Sequence, residues 1–404
     1  MINDLDEDGE YTARKSRAVL LDTLGLGEFN LDEILDSIDR LGADHAGFVP
    51  DFDRGLVALA QRNVSTALVN LQRAYSVSGF EPALFMLGLA HELNNDSVSA
   101  AAAYDSILQF NEYNIPARSA KALLLLGSGN DLDALLSIHQ ALEVHPESAM
   151  LWYTRARINA NIDRFDVALD NIVRACVYSP DVPAYHQLKG ELYFKLEDID
   201  AAFDCFDRCI ELAPRNPDYW HNKGGIYFGL KRYAEAQSVY SEAVQSNPDD
   251  IAIHYALALS ADQNDDLITA RVHYEFVLER NSHHVLALFH YGTVLSQLEE
   301  YAKAVDCFDQ AVFHDSDQKL DDEIFYFWGE ALIMLGRFAE VHNVADNLLR
   351  VKPESVGAYM LKGDAYLGSG DRQNALVTYQ EALRKNPDDE QRLVIEDSLR
   401  SLDD

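Results

Sequence analysis

The chain has 404 residues, 48% of them apolar and 25% charged, which is enough apolar side chain for a packed core and excludes wholesale disorder. A formal net charge of −34 would repel nucleic-acid phosphates and anionic membranes, so both are set aside as partners. The four cysteines, Cys176, Cys205, Cys209 and Cys307, lack the paired short spacing of a zinc site and are too few for a disulfide framework, so they read as small buried residues.

Residues 1–47 begin with the acidic MINDLDEDGE, where a secretory leader would carry basic residues and then an apolar run. The first dozen residues are expected to be disordered and the protein to be cytoplasmic. Leu31, Ile34, Ile38 and Leu41 stand at helical spacing and predict a cap helix near 31–41. No stretch approaches the roughly 18–20 apolar residues that span a bilayer.

From residue 48 onward the chain is periodic. Pro146, Pro180, Pro214 and Pro248 are 34 residues apart, and Pro353 and Pro387 resume that spacing. In each unit the eighth residue is small: Gly55, Gly88, Ala122, Ala156, Gly190, Gly224, Ala258, Gly292, Gly329 and Gly363. So is nearly every twentieth: Ala67, Ala100, Ala134, Ala168, Ala202, Ala236, Ala270, Ala304, Val341 and Ala375. Each unit is predicted to be two antiparallel helices, A and B, with the eighth residue facing the twentieth so that the backbones approach closely. Rings at the twenty-fourth place, among them Tyr104, Phe206, Tyr240 and Phe308, are expected to fill the wedge between successive units. Proline ends helix B because it has no N–H to donate, and the Asn-Pro-Asp-Asp strings at Asn247 and Asn386 supply acidic caps for the next helix.

The unit at 217–250, with Trp220, Gly224, Tyr227, Tyr233, Ala236, Tyr240, Ala243 and Pro248, resembles the tetratricopeptide signature W-x2-L-G-x2-Y…A-x3-F…P and departs from it at Lys223. The resemblance implies an all-α, right-handed superhelical solenoid of about ten helix-turn-helix repeats with terminal cap helices. Repeats one to eight fall at 48–318, a short connector at 319–321, repeats nine and ten at 322–389, and a C-terminal cap helix and tail at 390–404 with Leu393, Val394, Ile395, Leu399 and Leu402. The acidic stretch around that connector, His314–Glu323, reads either as a kink in the stack or as an outward bulge. The first repeats are weaker, with Asp51 and Leu84 where Trp or Tyr is usual, and the ninth carries Val341 and Ala345 in place of Ala and a ring.

Catalytic motifs are missing: there is no phosphate-cradling Gly-rich loop, no His-Glu-x-x-His and no Gly-x-Ser-x-Gly. The tightest histidine group, His283, His284 and His290, straddles a connector and reads as a capped turn. No catalysis, metal or cofactor is expected. The resemblance implies that A helices line a concave wall whose groove receives repeat positions two, five, nine, twelve and thirteen. The middle repeats place Tyr153, Arg157, Asn161, Gln187, Glu191, Phe194, Lys195, His221 and Phe228 there, a mixture of aromatics, amides and charges suited to a peptide. Arg157 and Lys195 stand out as cations in an acidic chain, either to attract an anionic group or to neutralise neighbours such as Glu191. Phe52, Leu56, Leu59, Phe85 and Leu89, with Val49, form a secondary apolar patch, open to a partner or covered by the preceding segment. A chaperone-tail clamp of the kind found in similar co-chaperones needs a Lys at the fifth and an Asn at the ninth position; Asn222 and Lys195 are suggestive, but no repeat here has that pair together.

The expected function is therefore a non-catalytic scaffold or adaptor that binds a peptide segment or helix of a partner protein. A regulatory or positioning subunit of a separately encoded enzyme and a self-assembling oligomer are the alternatives.

Overall fold

A computed structural model of the chain describes residues 48–315 and 323–403, which are helical apart from turns and contain no strand. The cap helix expected near 31–41 and the connector at 319–321 lie outside these residues. The described chain forms two compact units that meet in sequence at Leu212 and Ala213. In the first unit α1 (Phe48–Ala60) pairs with α2 (Val64–Ser78), α3 (Glu81–Leu93) with α4 (Ser97–Phe110), and α5 (Ile115–Gly127) with α6 (Asp131–Val144). There α7 (Ala149–Asn161) also pairs with α8 (Phe165–Tyr178), and α9 (Pro183–Lys195) with α10 (Ile199–Leu212). In the second, α11 (Pro217–Gly229) pairs with α12 (Tyr233–Ser246), α13 (Ile251–Gln263) with α14 (Leu267–Arg280), and α15 (Val285–Gln297) with α16 (Tyr301–His314). It continues with α17 (Glu323–Met334) against α18 (Phe338–Val351), α19 (Val356–Gly368) against α20 (Arg372–Arg384), and α21 (Asp389–Asp403) packed on α20.

Each hairpin turns at its fifteenth residue, which has positive φ in all ten: Arg62, Asn95, Gly129, Asp163, Glu197, Lys231, Asp265, Glu299, Gly336 and Gly370. One left-handed residue reverses the chain between helices A and B, and the tenfold recurrence gives the repeat a backbone signature independent of the prolines. Helix starts are capped by side chains. Asp96 and Asp266 accept from the amides of Ser99 and Thr269 at B-helix starts, while Ser148 and Asp250 accept from Leu151 and Ile253 at A-helix starts. Asp250 and Asp388, which accepts from the Gln391 amide, come from the two Asn-Pro-Asp-Asp strings and cap as the sequence predicts. At the fourth repeat position Trp152 and Trp220 donate their indole N–H to the carbonyls of Pro146 and Pro214 at 2.8 Å, which gives the signature tryptophan its role as a tie to the connector before it.

All ten residues at the twentieth position are fully buried, as expected of close helix contact. The eighth residue also has a larger neighbour. A Cβ placed on Gly88, Gly224, Gly292 or Gly363 would lie 2.4–2.5 Å from the ring of Tyr104, Tyr240, Phe308 or Tyr379, the twenty-fourth residue of the same repeat. Those rings lie across their own hairpin. Where the twenty-fourth residue is Ile138 or Ile172, the eighth is Ala122 or Ala156, so in those repeats side-chain volume is traded across the hairpin; Gly55 beside Leu71 and Ala258 in the repeat of Tyr274 are exceptions. In the ninth repeat, where Ala345 replaces the ring, the space beside Gly329 is taken by Leu361 of the tenth, 2.4 Å from where a Cβ on that glycine would stand.

At the C-terminal end Ile395 is fully buried against the tenth repeat, and Leu399 and Leu402 pack beside it. Leu393 and Val394 face outward, which narrows the expected cap face to one stripe of α21. The thiols of Cys205 and Cys209 are buried, and desolvation pushes them up to about 11 and about 12, so they are unreactive core residues. No described helix is long and apolar enough to cross a membrane.

Candidate functional site

The A helices of the first unit enclose a cleft of about 1070 Å³ over α3, α5, α7 and α9. Its apolar wall includes Phe85, Leu89, Leu123, Met150, Tyr153 and Tyr185. Tyr153 and Tyr185, from successive A helices, pack with ring centroids 4.9 Å apart at 34°. The Arg157 guanidinium sits one turn beyond Tyr153, its carbon 5.7 Å from the ring centroid. Burial raises the Tyr153 hydroxyl above its usual range, with Arg157 opposing that shift. Glu92 of α3 acts on Arg157 through space but is itself engaged by the Tyr104 hydroxyl at 2.5 Å, and among the described residues no carboxylate closes an ion pair on Arg157. The arginine is thus the exposed cation of an apolar cleft.

Ser119 lies on the same wall, only 5% exposed, and among the described residues its Oγ has no hydrogen-bond partner. A buried hydroxyl left unpaired costs roughly 1–3 kcal/mol, and a ligand polar atom would recover part of that. Around the cleft, Asn114 caps α5 through the Ala117 amide and donates to Glu81, while the imidazole of His145 lies edge-on to Tyr113.

Of the nine residues expected in the groove, the cleft gathers two, Tyr153 and Arg157. Asn161, Glu191, Phe194 and Lys195 are exposed beyond it, Phe194 at 40%; Gln187 is half-buried and donates to Glu191 at 3.0 Å. Glu191 is therefore engaged by an amide rather than by either cation. His221 and Phe228 belong to the second unit, where they pack on Tyr240 and Tyr233 at ring distances of 5.7 and 5.2 Å.

The secondary patch also needs correcting as an open surface. Phe52, Leu56, Leu59 and Phe85 are buried in one core cluster with Ala67 and Leu71, and Phe52 packs edge-on to Phe80 at 5.8 Å. Phe85 and half-buried Leu89 instead form the end wall of the cleft. Ser119 and Leu123 were missed, although they occupy positions five and nine of the third repeat, the same register that selects Tyr153 and Arg157 in the fourth. Tyr185 was missed because it stands at position three, outside the groove rule.

In the second unit the A helices line another cleft, of about 770 Å³, with Asp262, Phe289, Glu330, Met334 and Asp364 on its walls. His284, from the histidine group singled out in the sequence, caps α15 by accepting from the Ala287 amide at 3.1 Å. Among the described residues no group of three His, Cys, Asp or Glu is arranged to hold a metal ion.

A tetratricopeptide repeat family model matches residues 52–115, 119–180, 255–319 and 326–390, and a second model of the same repeat matches 193–259. The chain belongs to the tetratricopeptide repeat family. Across 173 residues it is 25% identical to a DnaJ homolog subfamily C member 7 homolog from Schizosaccharomyces pombe, a match that takes in 39% of this chain and 36% of that one. The chain thus spans about a third of the length of that curated relative. Among solved structures it is similar to YrrB, described as a tetratricopeptide repeat protein with an unusual peptide-binding site, at 20% identity and a TM-score of 0.38 over 45% of this chain and 93% of that one. It is also similar to the C-terminal part of a tetratricopeptide repeat-containing protein from Cytophaga hutchinsonii, at 14% identity and a TM-score of 0.47 over 70% and 99%. Tetratricopeptide arrays are in general non-catalytic repeat scaffolds for contacts between proteins, and the chain shares that architecture.

Proposed function

We propose that the protein is a non-catalytic scaffold or adaptor that holds a segment of a partner protein in the cleft of its first unit. The observation that carries this reading is the combination in one cleft of a rigid aromatic pair, Tyr153 and Tyr185, an unpaired buried hydroxyl, Ser119, and an arginine without a carboxylate partner. Aromatic anchors supply contact area at low entropic cost, and an arginine fork selects a carboxylate. The surrounding charge of −34 sharpens that choice, because an anionic group gains from only a few places on this chain. The preferred ligand is a peptide with an apolar or aromatic anchor next to an acidic side chain or a free C-terminus.

Panning a displayed library of random dodecapeptides against the full chain tests this. Recovered peptides should pair an apolar anchor with a carboxylate, and a synthetic one should bind the Arg157→Ala protein roughly tenfold more weakly, as expected on losing one charge-assisted contact. Equal affinity for the two proteins, or no acidic preference, would remove the cleft from the account.

A further inference from the structure

The cleft of the second unit has the opposite chemistry. Asp262 ends α13 at the twelfth repeat position, Glu330 lies on α17 and Asp364 on α19, and the register turns all three toward the same space. Phe289 and Met334 provide apolar wall, and among the described residues no Lys or Arg lines the cleft. Asp262 is 9% exposed, and among the described residues its carboxylate has neither a hydrogen bond nor a cation. The Oγ of Ser296, on the same lining, is buried and has no hydrogen-bond partner among the described residues. Asp364 and Glu330 each accept from one tyrosine, Tyr379 and Tyr326, which leaves acceptor capacity on both. The one basic side chain on the lining, His290, does not supply the missing charge, because burial lowers it to about 4 and keeps it neutral. Burial, with Asp265 on the same lining adding to it, raises Asp262 to about 6, and burial with Asp364 nearby likewise raises Glu330, so these carboxylates are costly to ionise where they stand. Such an arrangement is relieved by a cation brought in from outside.

We propose that this second cleft receives a Lys or Arg side chain carried on an apolar stretch of a partner polypeptide, with Asp262, Glu330 and Asp364 taking the charge and Phe289 and Met334 the neighbouring apolar residue. Charge complementarity selects this occupant. A carboxylate-bearing segment would be repelled, and an uncharged one would leave Asp262 buried and unpaired. The site is independent of the first-unit cleft, shares no residue with it and selects the opposite charge.

Because the whole chain attracts basic peptides, the test compares variants of equal net charge at about 0.3 M salt, where exposed charges are largely screened. A random dodecapeptide display library is panned against the full wild-type chain. Recovered peptides are then measured on a protein carrying Asp262→Asn, Glu330→Gln and Asp364→Asn, and on a control carrying Glu242→Gln, Asp306→Asn and Asp309→Asn, exposed positions on α12 and α16. The expected result is enrichment of Lys or Arg beside an apolar residue. Affinity should fall about tenfold or more on the cleft variant and stay unchanged on the control. Replacing the peptide's Lys by norleucine should weaken binding to wild type by the same factor and leave binding to the cleft variant unaltered. Asp262→Asn alone, which removes one unpaired charge and keeps the shape, repeats the comparison if the triple variant does not fold. No basic enrichment, no recovered peptide, or equal losses on cleft and control variants would overturn the proposal.

Discussion

At the scale of single residues, the eighth position shows how tightly the hairpins are specified. Gly292 has no room for a methyl group because the Phe308 ring occupies it at 2.5 Å. Gly292→Ala should therefore lower the thermal midpoint despite alanine's better helix propensity, with a net loss of about 1–2 kcal/mol. Combining it with Phe308→Ile, which reproduces the Ala122 and Ile138 pairing of the third repeat, should recover most of the loss; a double variant no better than the single would contradict the volume trade. Asp262 makes a second residue-scale prediction, in the opposite direction. Its folded-state value of about 6 stands above the ordinary 3.8, so between about pH 4 and 6 the folded chain binds a proton that the unfolded chain does not. This group's destabilising effect is thus complete above pH 6 and disappears as pH falls through 6 toward 4. Asp262→Asn should raise stability at pH 7, on the order of 2 kcal/mol, with the gain shrinking toward pH 4. Neighbouring Asp265 contributes to the same upward shift. Unfolding midpoints of both proteins across that range provide the check, and a constant difference would be inconsistent with a buried, ionised Asp262.

At the scale of the helical hairpin, much of the structure is legible in the sequence. The small residues at positions eight and twenty, with the proline spacing of the later repeats, set the register of the ten described hairpins, because close helix contact is a local demand that recurs in each of them. The left-handed turn residue was only partly legible: Gly129, Gly336 and Gly370, and more weakly Asn95, Asp163 and Asp265, are types that favour it, while Glu197 and Lys231 adopt φ of 65° and 58° without that signal. Glu197 is exposed, so Glu197→Gly should relieve local strain and raise stability by about 0.5–1 kcal/mol. A lowered midpoint would mean that the Glu197 side chain has another role. The large side chain beside the glycines at the eighth position was not legible either. The periodic pattern shows that a small residue is needed there, but which large side chain fills the space depends on how the B helix crosses, and that is a tertiary property.

At the scale of the whole molecule, the groove rule identifies a face of each A helix but cannot tell where successive helices part to leave a cleft. That is why Lys195 and Phe194 fall outside the first-unit cleft while Ser119 and Tyr185 line it, and why Phe52 and Leu56, expected at a surface, are spent on the core. The same rule applied to the later repeats would have named Asp262, Glu330 and Asp364. With a charge of −34, mutual repulsion opposes compactness along the whole chain. The thermal midpoint should rise as salt increases from about 10 mM to about 0.5 M, where the screening length drops well below the spacing of most surface charges. A midpoint independent of salt would mean that local ion pairs, such as Arg271 with Glu275 and Glu300, already balance the field.

The most direct measurement of the central claim places the partner segment in space. A photo-crosslinking benzoylphenylalanine at Leu123, inside the first-unit cleft, or at Leu136, exposed on α6, is irradiated with a peptide selected on the wild-type chain for its dependence on Arg157. Crosslinking from position 123 alone, abolished by excess unlabelled peptide, is the result expected if the A-helix cleft holds the guest. Equal crosslinking from both positions, or crosslinking from position 136 alone, would show that the peptide binds elsewhere.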